Sequence, residues 1–174
     1  GNTIEIKIAD LGSKRAWKQA LTQGTPVRLE ISGKPIPTEV NLYKGALALK
    51  GWGDLKLAAT QGRFQSQEGR GHLEVFLQSG ETQILKHVGA VTVDSYQGKV
   101  TVQNHKGDVD ARLFSGQLLL ENVQGFIKTS TQSANSQIHS STGAIQFDNG
   151  TGTMSVQPLN GRMEGQTREG ALDI

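Results

Sequence analysis

From Gly53 to Ile174 apolar and polar residues alternate in short bursts that recur every nine positions. Stepping by nine from Gly53 meets Gly62, Gly71, Gly80, Gly89, Gly98, Gly107, Gly116, Gly125, Ala134, Gly143, Gly152, Gly161 and Gly170. Thirteen of these fourteen positions are glycine, against three glycines in the remaining 108 positions of the segment, so the period is real. Two residues after the marks stand Leu55, Phe64, Leu73, Thr82, Val91, Val100, Val109, Leu118, Ile127, Ser136, Ile145, Met154, Met163 and Leu172. Four after them stand Leu57, Ser66, Val75, Ile84, Val93, Val102, Ala111, Leu120, Thr129, Ile138, Phe147, Val156, Gly165 and Ile174. Alternation of period two predicts a strand with one buried face, and the glycine marks a tight corner. Each unit reads as a short strand plus a turn of about four residues. No unit can bury its apolar face alone, so the units must stack in parallel, about 4.8 Å apart.

Coil size follows from charge. Like charges one coil apart lie above one another and repel. A 27-residue coil would stack Asp94, Glu121 and Asp148 in one carboxylate column, whereas an 18-residue coil sets Asp94 beside Arg112 and Asp110 beside Lys128. The second is favoured. It predicts an all-β, parallel β-solenoid (a two-sheet β-roll or β-helix) of nonapeptide units, about seven coils long. Tyr96 then stacks on Phe114 at one edge and His87 on His105 at the other.

Residues 1–44 do not fit this frame. Ile4, Ile6 and Ile8 alternate as one strand and Val27, Leu29 and Ile31 as another; Ser13 is placed to N-cap a helix through Leu21, and Gly33-Lys-Pro-Ile-Pro reads as a turn. Solenoid ends need covering, so 1–44 is expected to be an N-terminal α+β cap with Trp17 plugging the core, and 45–174 the repeat domain. The repeat runs to Ile174 with no visible cap, which leaves two expectations: a longer parent protein, or pairing of that end with another molecule.

Composition narrows the function. With 18 basic and 16 acidic residues the net charge is +2, which gives no electrostatic reason to expect nucleic acid. Absence of cysteine excludes disulfides and thiolate zinc sites. No apolar run is long enough to span a bilayer, so direct membrane insertion by this segment is not expected. No signal peptide is seen, but a start at Gly1 rather than Met is expected of a trimmed chain, which leaves a removed signal or anchor open.

The units Gly89-Ala-Val-Thr-Val, Gly98-Lys-Val-Thr-Val, Gly107-Asp-Val-Asp-Ala and Gly143-Ala-Ile-Gln-Phe resemble the G-D-V-x-V units of a bacterial adhesin-type family with β-strand repeats, a domain of unknown function. The resemblance covers about residues 45–174. It implies a protein of the bacterial cell envelope, in the periplasm or at the cell surface, without established enzymatic activity. Calcium-binding toxin repeats share the period but need an aspartate in every turn, and turns such as Ser95-Tyr96-Gln97 lack it. Bactofilin solenoids are not expected to keep a strict nonapeptide.

Three surfaces are candidates for function. Asp94, Asp108, Asp110, Arg112 and Lys128 share one face and are the nearest approach to a polysaccharide-active carboxylate site, although a solvated salt-bridge ladder explains them as well. His87 and His105 form a pair without a third ligand, expected to be solvated turn residues rather than a metal site. The other face is nearly uncharged and carries Gln83, Leu85, Thr101, Gln103, Leu119, Glu121, Gln137 and His139. Its amides, hydroxyls and two outward leucines suit contact with a protein, a glycan or another copy of the chain. The expectation is a non-enzymatic envelope adhesin or scaffold module without cofactor or metal, with a self-assembling solenoid and a polysaccharide-active enzyme as alternatives.

Overall fold

A computed structural model describes residues 38–174 in full, together with the backbone of three earlier strands. The strands are β1 (Ile4–Ala9), β2 (Trp17–Leu21), β3 (Val27–Ser32), β4 (Thr38–Lys50), β5 (Leu55–Gln67), β6 (Leu73–Leu85), β7 (Val91–Lys106), β8 (Val109–Gln124), β9 (Ile127–His139), β10 (Ile145–Asn149), β11 (Met154–Gln157), β12 (Met163–Thr167) and β13 (Leu172–Asp173). All pair in parallel, as a β-solenoid requires, and the described residues contain no helix.

The coil is 18 residues. Leu55 pairs with Leu73, Leu73 with Val91, Val91 with Val109, Val109 with Ile127, Ile127 with Ile145 and Ile145 with Met163. Asp94 lies beside Arg112 and Asp110 beside Lys128, as the charge argument required. Long strands such as β7 and β8 do not stop at each unit. They run through the corner at Gly98 and Gly116 without losing register, so both flat faces belong to one wrapped sheet. From β5 to β10 the strands break at the corners marked by Gly71, Gly89, Gly107, Gly125 and Gly143; beyond Asn149 they are short and break at both corners of the coil.

Glycine at the paired corner answers to a close approach. A Cβ on Gly80 would stand 1.8 Å from the carbonyl oxygen of Gly62 one coil below, and φ is +134°. No side chain fits between those backbones.

The region before the repeat differs from the expected α+β cap. Residues 17–21 form a strand, not the end of a helix, and pair in parallel with β4 from Trp17↔Thr38 to Leu21↔Leu42. β1 pairs with β3 and β3 with β4 in the same stack. The offset is 23 residues at Ile4↔Val27, 21 at Trp17↔Thr38 and 17 at Thr38↔Leu55. Variable connections hide the nine-residue frame in the sequence while leaving the backbone ladder intact, because parallel pairing satisfies the same amides whatever the connection length. Ser13, the 33–37 turn and the Trp17 side chain lie outside the described residues.

The core is a continuous column of Leu, Val and Ile side chains from Val40 to Val156. Burying each such side chain contributes about 1.5–3 kcal/mol. Two further positions per coil also point inward, at the narrow ends of the roll. One column is Ala59, Leu77, Ser95, Leu113, Thr131 and Asn149; the other is Gly69, His87, His105, Val123 and Ser141. Thr131 donates its hydroxyl to Asn149 Oδ1 at 2.7 Å, and Asn149 Nδ2 donates to the Gly152 carbonyl at 2.7 Å, so these two polar residues satisfy one another, whereas the buried Ser95 hydroxyl has no partner.

Candidate functional site

The eight residues of the uncharged face fall in two neighbouring columns. Gln83, Thr101, Leu119 and Gln137 form one, and Leu85, Gln103, Glu121 and His139 the other. The strand register brings all eight together. Much of their hydrogen-bonding capacity is already used along the ladder: Gln65 Nε2 donates to Gln83 Oε1 at 3.2 Å, Gln103 Nε2 donates to Glu121 Oε2, and Thr101 is buried. Leu119 and Gln137 line a hollow of about 540 Å³ beside Met154 and Leu172.

The charged group separates. Arg112 holds Asp110 at 2.9 Å and Asp94 at 3.9 Å. Asp108, expected on the same face, sits instead at the open corner, where its Oδ1 accepts the Phe126 backbone N–H at 2.9 Å. Asp54 does the same for His72 at 2.7 Å. An aspartate directly after the corner glycine thus ties the corner to the next coil. The neighbouring inter-coil pairs are Lys56–Glu74 at 3.4 Å and Arg63–Glu81 at 3.0 Å. All are exposed, so they set register more than they add stability.

The histidines overturn the solvated expectation. His87 is 1% exposed and His105 0%, with their rings stacked. His87 Nε2–H donates to the Gly71 carbonyl at 3.0 Å. Neither ring nitrogen of His105 meets a hydrogen-bond partner in good geometry, although the backbone of Asp108, Gly107 and Gly89 lies near enough to favour the proton in part. Burial lowers the affinity of both imidazoles for a proton. The charge of His72 acts in the same direction on His87, and that of His87 on His105. Among the described residues no cluster of three or more His, Asp and Glu converges as a metal site.

A further concavity lies at the paired corner. Phe76 and Tyr96 are each 55% exposed and Phe114 43%. Tyr96 and Phe114 stack face to face, centroids 4.6 Å apart and planes 7° from parallel. The ring column ends there, because Gln132 and Gly150 take the same place in the next two coils. The loss of side-chain volume makes a step, which opens a concavity of about 570 Å³. One wall is the parallel column of Phe76, Asp94, Arg112, Ser130 and Asp148. The far rim is Arg168, which pairs with Asp148 at 3.5 Å. The 18-residue spacing foretells the Tyr96–Phe114 stack. Extending that column to Gln132 and Gly150 was the available signal for the cleft.

Comparison with protein-family models, curated proteins and solved structures finds no match, so the geometry alone carries the functional reading.

Proposed function

We propose that the chain is a non-enzymatic contact module of the bacterial cell envelope, a rigid solenoid that binds a glycan or protein partner as an adhesin or scaffold. The supporting observation is the aromatic corner. Phe76, Tyr96 and Phe114 are exposed beside a concavity, and large exposed aromatics on a repetitive rod are the groups that contribute most to recognition. The carboxylates nearest that corner favour binding over catalysis. Asp94 and Asp148 are each paired with an arginine, Arg112 at 3.9 Å and Arg168 at 3.5 Å, rather than facing one another as a carboxylate pair. The corner is favoured over the uncharged face because the Gln83 and Gln103 amides already bond within their own ladders.

The test is retention of the chain on bacterial envelope preparations, measured as a binding isotherm for the native protein and for the Tyr96→Ala/Phe114→Ala variant. Saturable retention that the variant loses supports the reading. Absence of saturable retention overturns it, as does release of soluble sugar from the preparation, which would mark an enzyme.

A further inference from the structure

We propose that the step beyond Phe114 is a binding site for a neutral saccharide, with one sugar ring against the aromatic column and its hydroxyls meeting the charged rim. This inference rests on the contact-module reading and assigns its ligand class.

The shape comes first. The concavity of about 570 Å³ falls within the range of roughly 300–1,000 Å³ usual for small-ligand clefts. It exists because the ring column stops at Phe114 while the backbone ladder continues beneath it through Gln132 and Gly150. Gly150 cannot refill the gap, since a Cβ there would stand 2.3 Å from the Gln132 carbonyl oxygen. The floor is therefore backbone and small polar side chains, and one end is an aromatic ring.

The chemistry then selects the ligand. An aromatic face carries a negative quadrupole and attracts the polarised C–H groups on the flat side of a sugar ring. The rim offers both signs of polar group: Asp94 beside Arg112, which also holds Asp110, then Asp148 with Arg168, and the Glu169 carboxylate. Each carboxylate keeps acceptor capacity and each guanidinium keeps donors beyond its ion pair, which suits hydroxyls that donate and accept at once. An anionic ligand would have to compete with Asp94 and Asp148 for the two arginines, and a cationic one with the arginines for the two carboxylates. Neither gains what a neutral polyol gains. Ser130 adds a hydroxyl along the same wall, and Thr151 lies on the other side of Gly150 with its hydroxyl donating to the Gln132 carbonyl at 3.2 Å. Successive coils repeat at about 4.8 Å, so the cleft runs along the solenoid axis and favours an extended chain of sugars over a single compact ligand.

The experiment is amide chemical-shift mapping of the full chain titrated with neutral cello- and chito-oligosaccharides and, separately, with oligogalacturonate. The neutral oligomers are expected to shift the amides of Phe114, Gln132 and Thr151 and to leave those of Gln83 and Gln103 in place. Phe114→Ala is expected to weaken binding about tenfold. Gln132→Phe, which continues the ring column across the step on an exposed position, is expected to abolish binding without lowering the melting temperature. Neutral oligomers that leave these amides unmoved, or uronates that bind more tightly there, overturn the saccharide assignment. Envelope retention that persists with either result leaves the contact module standing, whereas loss of retention as well removes both.

Discussion

The imidazoles of His87 and His105 lie parallel inside the open corner, with centroids 5.6 Å apart and 10° between their planes. They occupy a column whose next member is Val123, so the fold treats them as core side chains. Because burial lowers both proton affinities, the unfolded chain binds protons more readily than the folded one below the ordinary histidine value of 6.5. Stability is therefore full above pH 6.5 and falls as pH drops through it, by at most about 1.4 kcal/mol per pH unit for each histidine. Urea melts between pH 7.5 and 5 should show this decline. His105→Val, which copies Val123, should flatten it; an unchanged slope would disprove the assignment.

Gly80 and Gly51 separate two reasons for glycine. Gly80→Ala drives a Cβ into the Gly62 carbonyl, a backbone atom that cannot move without breaking the ladder, and should cost more than about 3 kcal/mol. Gly51→Ala meets nothing within 4 Å and carries only the strain of φ +66°, which should cost about 1 kcal/mol. Chemical denaturation of the two variants checks the ranking.

The corner that follows the uncharged face repeats a left-handed residue every coil: Glu68, Lys86, Asn104, Asn122 and Ser140 have φ between 52° and 56°. Asparagine tolerates this region better than lysine does, and Asn122 Nδ2 already donates to Asn104 Oδ1 at 2.7 Å. Lys86→Asn should relieve strain and extend that amide ladder by one coil. A rise in melting temperature of about 2–4 °C is expected, read by calorimetry.

Leu119 stands on the uncharged face, away from the aromatic corner. Leu119→Lys should leave envelope retention unchanged, whereas Phe114→Ala reduces it. A loss of retention in the leucine variant would move the contact surface to the face of Gln83, Gln103 and Gln137.

The architecture was readable in the chain because a solenoid writes its geometry into a period. Glycine every nine residues reports the close backbone approach at each corner, and alternation between the glycines reports which side chains face in. Opposite charges at Asp94 and Arg112 then fix the coil, since residues 18 apart become neighbours only at that coil length. Three features needed the folded molecule. Residues 17–21 have helix-compatible spacing, yet an open parallel edge at Thr38–Leu42 outweighs local propensity and makes them a strand. His87 and His105 look like turn residues, but the narrow end of the roll turns them inward to seal the core. The cleft is written in no single residue, because it is the absence of a ring at Gln132 and Gly150 next to its presence at Phe114. A period determines what lies above what, but only the tertiary structure determines where stacked side chains leave room for something else.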